Sequence, residues 1–111
     1  MMKEISMSSY HVKLILEGKK WTTIRSLRYA EQFREGEIVK LRGSDILIKI
    51  LDVREITVKD IDENIVKSEG YNSRERLLQV LKWFLKNLDE DRRLALITFL
   101  KVQKQHSESH T

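Results

Sequence analysis

Between Ile46 and Ile56 the apolar residues change parity. Ile46, Ile48 and Ile50 recur at every second position, and then Leu51 and Val53 carry the alternation on the opposite phase. A strand turns successive side chains to opposite faces, so a slip of parity inside one β-branched run calls for an extra residue. A bulge near Leu51 and Asp52 is therefore predicted. Bulges bend strands and help small sheets curl, so this stretch points to a curved sheet.

The neighbouring segments fit that frame. Lys3 to Met7 alternates as a short first strand, and Ser8 or Ser9 then offers an oxygen to cap a helix whose apolar stripe is Val12, Ile15 and Leu16. Gly18 closes that helix, and from Trp21 onward the period becomes two, with Trp21, Thr23 and Arg25 opposite Thr22, Ile24 and Ser26. Leu27 to Gly36 shows no clean period and reads as a loop. Ile38, Val39 and Leu41 form a strand ended by the turn cluster Gly43-Ser44-Asp45, giving a hairpin with the bulged strand.

Thr57 to Asp60 has the form of a capping box at the start of a short helix that buries Ile61 and Ile65. Lys67 to Tyr71 ends it. Asn72 with Glu75 marks the start of a longer helix, whose stripe is Leu77, Leu81, Phe84, Leu85 and Leu88. After the charged loop Asp89 to Arg93, the run Leu94 to Val102 is a final core strand. Strand-rich runs without regular βαβ alternation argue against a doubly wound fold; the class is α+β, a curved, mostly antiparallel sheet with flanking helices.

The 111 residues fit one domain, residues 1–102, with a polar tail over 103–111 that is expected to be disordered. His106 and His110 in that tail are spaced for a metal on a helix, but nothing apolar holds them in place. The absence of cysteine removes thiolate nucleophiles, disulfides and cysteine-ligated metal sites. No charged-then-apolar leader opens the chain and no apolar run nears the roughly 20 residues that span a bilayer, so a cytoplasmic protein without membrane contact is expected; a monomer is expected as well, although neither feature bears on that. The net charge of +4 permits attraction to phosphates without demanding it.

Four residues bear chemistry. Thr23 and Arg25 share one strand face, and Lys20 precedes them at the turn. A threonine hydroxyl needs a base, and a lysine serves as one only where burial or nearby positive charge lowers its pKa. Threonine is also an ordinary strand residue. Glu69, between a helix end and Gly70, lies outside both apolar stripes and is free to turn into a cleft as a proton donor or acceptor, or to remain a surface carboxylate.

The run Gly18-Lys19-Lys20-Trp21-Thr22-Thr23-Ile24-Arg25, preceded by Ile15-Leu16-Glu17 and followed by Phe33-Arg34-Glu35-Gly36-Glu37, resembles the signature of the ASCH domain, a relative of the PUA domains. The likeness extends through Ile46 to Val53, Glu69-Gly70-Tyr71 and Ala95 to Val102. It implies a small PUA-like β-barrel with helices at its sides. Small bacterial ASCH proteins are acetylcytidine amidohydrolases, which implies Lys20, Thr23 and Glu69 as catalytic residues, with Thr23 the nucleophile, Lys20 its base and Glu69 the acid/base, and no metal or cofactor. Arg25 would hold a substrate oxygen or order the cleft, and Trp21, Arg28, Tyr29 and Tyr71 border the expected binding site for a modified nucleoside or RNA. The alternative is a non-catalytic RNA-binding module using the same cleft with Arg28, Arg34, Lys40 and Arg42, and a blander one is a protein-interaction domain.

Overall fold

A computed structural model describes residues 2–102, so the tail and its His106–His110 pair lie outside the described residues. In chain order the elements are β1 (Glu4–Ile5), α1 (Ser9–Leu16), β2 (Thr22–Arg25), α2 (Leu27–Ala30), β3 (Ile38–Leu41), β4 (Leu47–Thr57), a 3-10 turn (Val58–Asp60), α3 (Glu63–Ser68), α4 (Arg74–Leu81) and β5 (Arg93–Lys101). The five strands form one sheet in the order β1-β3-β4-β5-β2. Among the described residues, β1 and β3 are the one parallel pair. The class is α+β, as expected. None of the helices described is long and apolar enough to cross a membrane.

The bulge falls where the parity slips. Ile50 pairs with Phe99 and Asp52 with Thr98, leaving Leu51 without a partner. Ile48 and Ile50 before it, and Val53 after it, therefore face one core, together with Ala95, Ile97 and Phe99 of β5. The opposite face of β5, Leu94 and Leu96, joins Ile24 of β2 and Ile56 of β4 in a second core against α3 and α4. The interior strand β5 is thus apolar on both faces, which explains its unbroken run of large side chains.

Hydrogen bonds of the ladder leave the sheet open, with β1 and β2 as its edges. A side chain spans the gap instead. The Arg25 guanidinium on β2 donates to the Ser6 carbonyl at 2.5 Å and to Ser6 Oγ at 3.2 Å, just past the end of β1. The two edges of the open sheet are therefore linked at this point by a guanidinium rather than by backbone pairing.

Several elements differ from expectation. The first strand is only Glu4–Ile5. In α1 the buried residues are Leu14 and Ile15, and Leu16 is 53% exposed, because the helix also packs against Gly70 through Leu14. Leu27–Ala30, expected as loop, is a single helical turn whose cap is Ser26, accepting from the Tyr29 amide at 3.1 Å. The expected first capping box carries only the 3-10 turn; α3 proper starts at its own cap, Asp62, which accepts from the Ile65 amide at 2.9 Å. The long helix stops at Leu81, starts from Ser73 rather than Asn72, and leaves Phe84 74% exposed. Leu85 and Leu88 still reach the second core, but from a turning chain that places Phe84 outward.

Candidate functional site

Two glycines bring distant segments together. Gly18 ends α1 at φ 75°, a left-handed conformation that costs other residues strain. Gly70 stands at φ 89°, and a Cβ there would come within 2.8 Å of Leu14 Cδ1 and 3.3 Å of the Lys19 carbonyl. Only a residue without a side chain lets the end of α3 approach the α1–β2 joint so closely. The Trp21 amide then donates to the Ser68 carbonyl at 2.9 Å, which sets Glu69 beside Lys20.

Both side chains are buried, Lys20 to 4% and Glu69 to 3% exposure. Lys20 Nζ donates to Glu69 Oε1 and to the Glu69 carbonyl, each at 3.3 Å. The second carboxyl oxygen lies 2.5 Å from Thr22 Oγ1, and Thr22 Oγ1 lies 2.7 Å from Ser68 Oγ. Burial pushes the Lys20 ammonium below its usual range, with Arg25 adding to the effect and Glu69 opposing it. Burial likewise pushes the Glu69 carboxyl up, against the pull of Lys20 and the contact with Thr22. The site disfavours separated charges on both partners.

On the other face of β2, Arg25 Nε donates to Thr23 Oγ1 at 3.0 Å. The Arg25 guanidinium also lies 5.1 Å from the centroid of the Tyr29 ring. Across the opening, His11 of α1 is joined to Tyr71 by a 2.8 Å contact between Nε2 and the phenol oxygen. Burial, then the charges of Lys20 and Arg25, hold the His11 imidazolium down to about 4, so the ring is neutral at pH 7.

These groups line one cleft of about 520 Å³, a size that suits a small organic ligand. One half is polar, with His11, Lys20, Thr23, Arg25, Tyr29 and Glu69; the other is apolar, with Leu77, Val80, Leu81, Phe84 and Leu85. Of the residues singled out in the sequence, Lys20, Thr23, Glu69, Arg25, Tyr29 and Tyr71 meet here. Trp21 and Arg28 do not line it; both side chains are exposed. Of the basic set in the alternative reading, only Arg42 reaches the cleft, and both it and Lys40 pair with Glu4. Sequence reasoning missed Ser6, His11, Thr22 and Ser68. Alternation turns Thr22 away from Thr23, and it says nothing of what waits on the far side.

No family model matches this sequence, and no curated protein matches it. Solved structures do. The ASCH domain from Lactobacillus crispatus JV V101 superposes with a TM-score of 0.70 at 17% identity, over 89% of this chain and 79% of that one. The fold is ASCH-like. The hypothetical protein PH0355 superposes at 0.77 with 19% identity, covering 92% of this chain and 100% of its own. Protein PF0455 from Pyrococcus furiosus, solved in solution, superposes at 0.72 with 16% identity, covering 94% and 100%.

Proposed function

We propose that the cleft binds a nucleoside-type ligand and hydrolyses the exocyclic amide of an N-acylated cytidine. The observation that carries this reading is the buried Lys20–Glu69 pair sharing one cleft with Thr23. A lysine depressed by burial supplies an amine lone pair, which is what a threonine hydroxyl needs to become a nucleophile. Lys20 takes the Thr23 proton as Thr23 Oγ1 adds to the acyl carbonyl carbon. The bond from that carbon to the cytosine amine then breaks, with the amine taking a proton from the protonated Lys20–Glu69 pair. Water hydrolyses the resulting threonyl ester, releasing the carboxylic acid and restoring Thr23.

Arg25 orders this step rather than performing it. Its Nε fixes the Thr23 oxygen as an acceptor, which leaves the hydroxyl proton free to point elsewhere. Two further N–H groups are held by Ser6 and one faces Met7 Sδ. The apolar half of the cleft receives the acyl chain.

Purified protein is expected to release acetate from acetylcytidine, and Thr23→Ala, Lys20→Ala and Glu69→Ala are each expected to lower kcat/KM at least about 100-fold while remaining folded. Absence of turnover by folded wild-type protein removes the hydrolase reading. RNA affinity that falls steeply with salt, without turnover, would instead favour the binding-module reading. The pairing of Lys40 and Arg42 with Glu4 weighs against it, since both cations are already partly neutralised.

A further inference from the structure

Three oxygen-to-oxygen contacts run in series behind the Lys20–Glu69 pair. Ser68 Oγ lies 2.8 Å from the Ile65 carbonyl, Thr22 Oγ1 lies 2.7 Å from Ser68 Oγ, and Glu69 Oε2 lies 2.5 Å from Thr22 Oγ1. Two oxygens at such distances repel unless a proton sits between them, so three contacts need three protons. A carbonyl can only accept, so the Ser68 proton goes to Ile65. Thr22 must then give its proton to Ser68. Nothing remains for the contact between Thr22 and Glu69 except a proton carried by Glu69 itself.

We infer that Glu69 rests as a neutral carboxylic acid, donating to Thr22 through a directional chain that ends on the Ile65 carbonyl, and that Thr22 and Ser68 are positioning residues for its proton. The other side of the carboxyl agrees. Glu69 Oε1 and the Glu69 main-chain oxygen are two acceptors for Lys20 Nζ, matching the two N–H groups of an amine and leaving its lone pair unused. The groups that face this carboxyl are Lys20 from the α1–β2 joint and Arg25 from β2, with His11 of α1 and Tyr71 after α3 at the cleft wall. Burial raises the carboxyl and lowers the amine, the same directions the proton count requires.

The inference rests on the same site as the proposed hydrolysis, so the test uses no substrate. In protein carrying ¹³C at the glutamate side-chain carboxyl, the Glu69 resonance is assigned by its loss in Glu69→Gln and followed against pH. It is expected at the protonated position at pH 7. Ser68→Ala frees the Thr22 proton to turn toward Glu69, which favours the carboxylate. The titration midpoint is then expected to fall by about one pH unit, a tenfold change in proton affinity, although Ser68 does not touch Glu69. In a Thr22→Val background the same Ser68→Ala change is expected to have no effect, because the link is gone. Ser68→Thr, which keeps a hydroxyl, should retain the wild-type midpoint. A Glu69 resonance at the carboxylate position at pH 7 in wild type overturns the inference, as does an equal Ser68→Ala shift with and without Thr22. Amide spectra of each variant confirm that the fold is retained. Failure here with acetylcytidine turnover intact leaves the hydrolase standing; success without turnover leaves the proton chain standing alone.

Discussion

A protonated Glu69 is chemically close to a glutamine. The amide that Glu69→Gln introduces can donate from its nitrogen to Thr22 and accept from Lys20 at its oxygen, keeping every partner the carboxylic acid has. Glu69→Gln is therefore expected to cost less than about 1 kcal/mol of stability, whereas Glu69→Ala, which strands Lys20 and Thr22 in a dry site, is expected to cost about 3 kcal/mol. Denaturant unfolding of the two variants checks the order, and a glutamine variant as unstable as the alanine variant would contradict it. Gly70 offers a separate prediction. Its φ of 89° and the 2.8 Å approach a Cβ would make to Leu14 put Gly70→Ala at a cost of about 1–3 kcal/mol, read as a lower denaturant midpoint.

Among the elements, the seam between β1 and β2 is the most exposed to single substitutions. Because Arg25 bridges it with a planar fork of donors to Ser6 and Thr23, Arg25→Lys keeps the charge and loses the geometry. A loss of about 1–3 kcal/mol is expected, with faster amide exchange in β1 and β2 than in β4 and β5. Element existence is largely legible in the sequence: the bulge at Leu51, the stop at Gly18 and the final strand all follow from local pattern. What is not legible depends on distant packing. Leu16 and Leu14 are equivalent in composition, and only the approach of Gly70 selects Leu14. Phe84 continues a helical stripe, yet the chain turns out of the helix at Lys82, before reaching it. In the site, alternation places Thr23 and Arg25 on one face correctly. It gives no reason to weigh Thr22, whose partners Ser68 and Glu69 come from 46 and 47 residues further along.

For the molecule as a whole, pH dependence separates groups that gain protons on unfolding from groups that do not. His11 is held at about 4 in the fold against 6.5 when exposed. Between those values the unfolded chain binds a proton that the folded chain refuses, so stability is full above about pH 6.5 and falls as pH drops toward 4. His11→Gln is expected to flatten the curve in that window, measured by unfolding at a series of pH values. Glu37 and Asp60, lowered in the fold, add their own losses at more acid pH as they take up protons.

The Lys20–Glu69 pair behaves otherwise. A raised carboxyl alone would lose stability as pH rose above 4.5, and a lowered amine alone would lose it as pH fell below 10.5. Together they hold one proton when folded, on Glu69, and one when unfolded, on Lys20. Folding moves that proton from nitrogen to oxygen without exchanging any with solvent, and the two slopes cancel. The domain can thus carry a reactive tautomer whose formation leaves no trace in the pH dependence of stability across the neutral range, and only a probe of the carboxyl itself would register it.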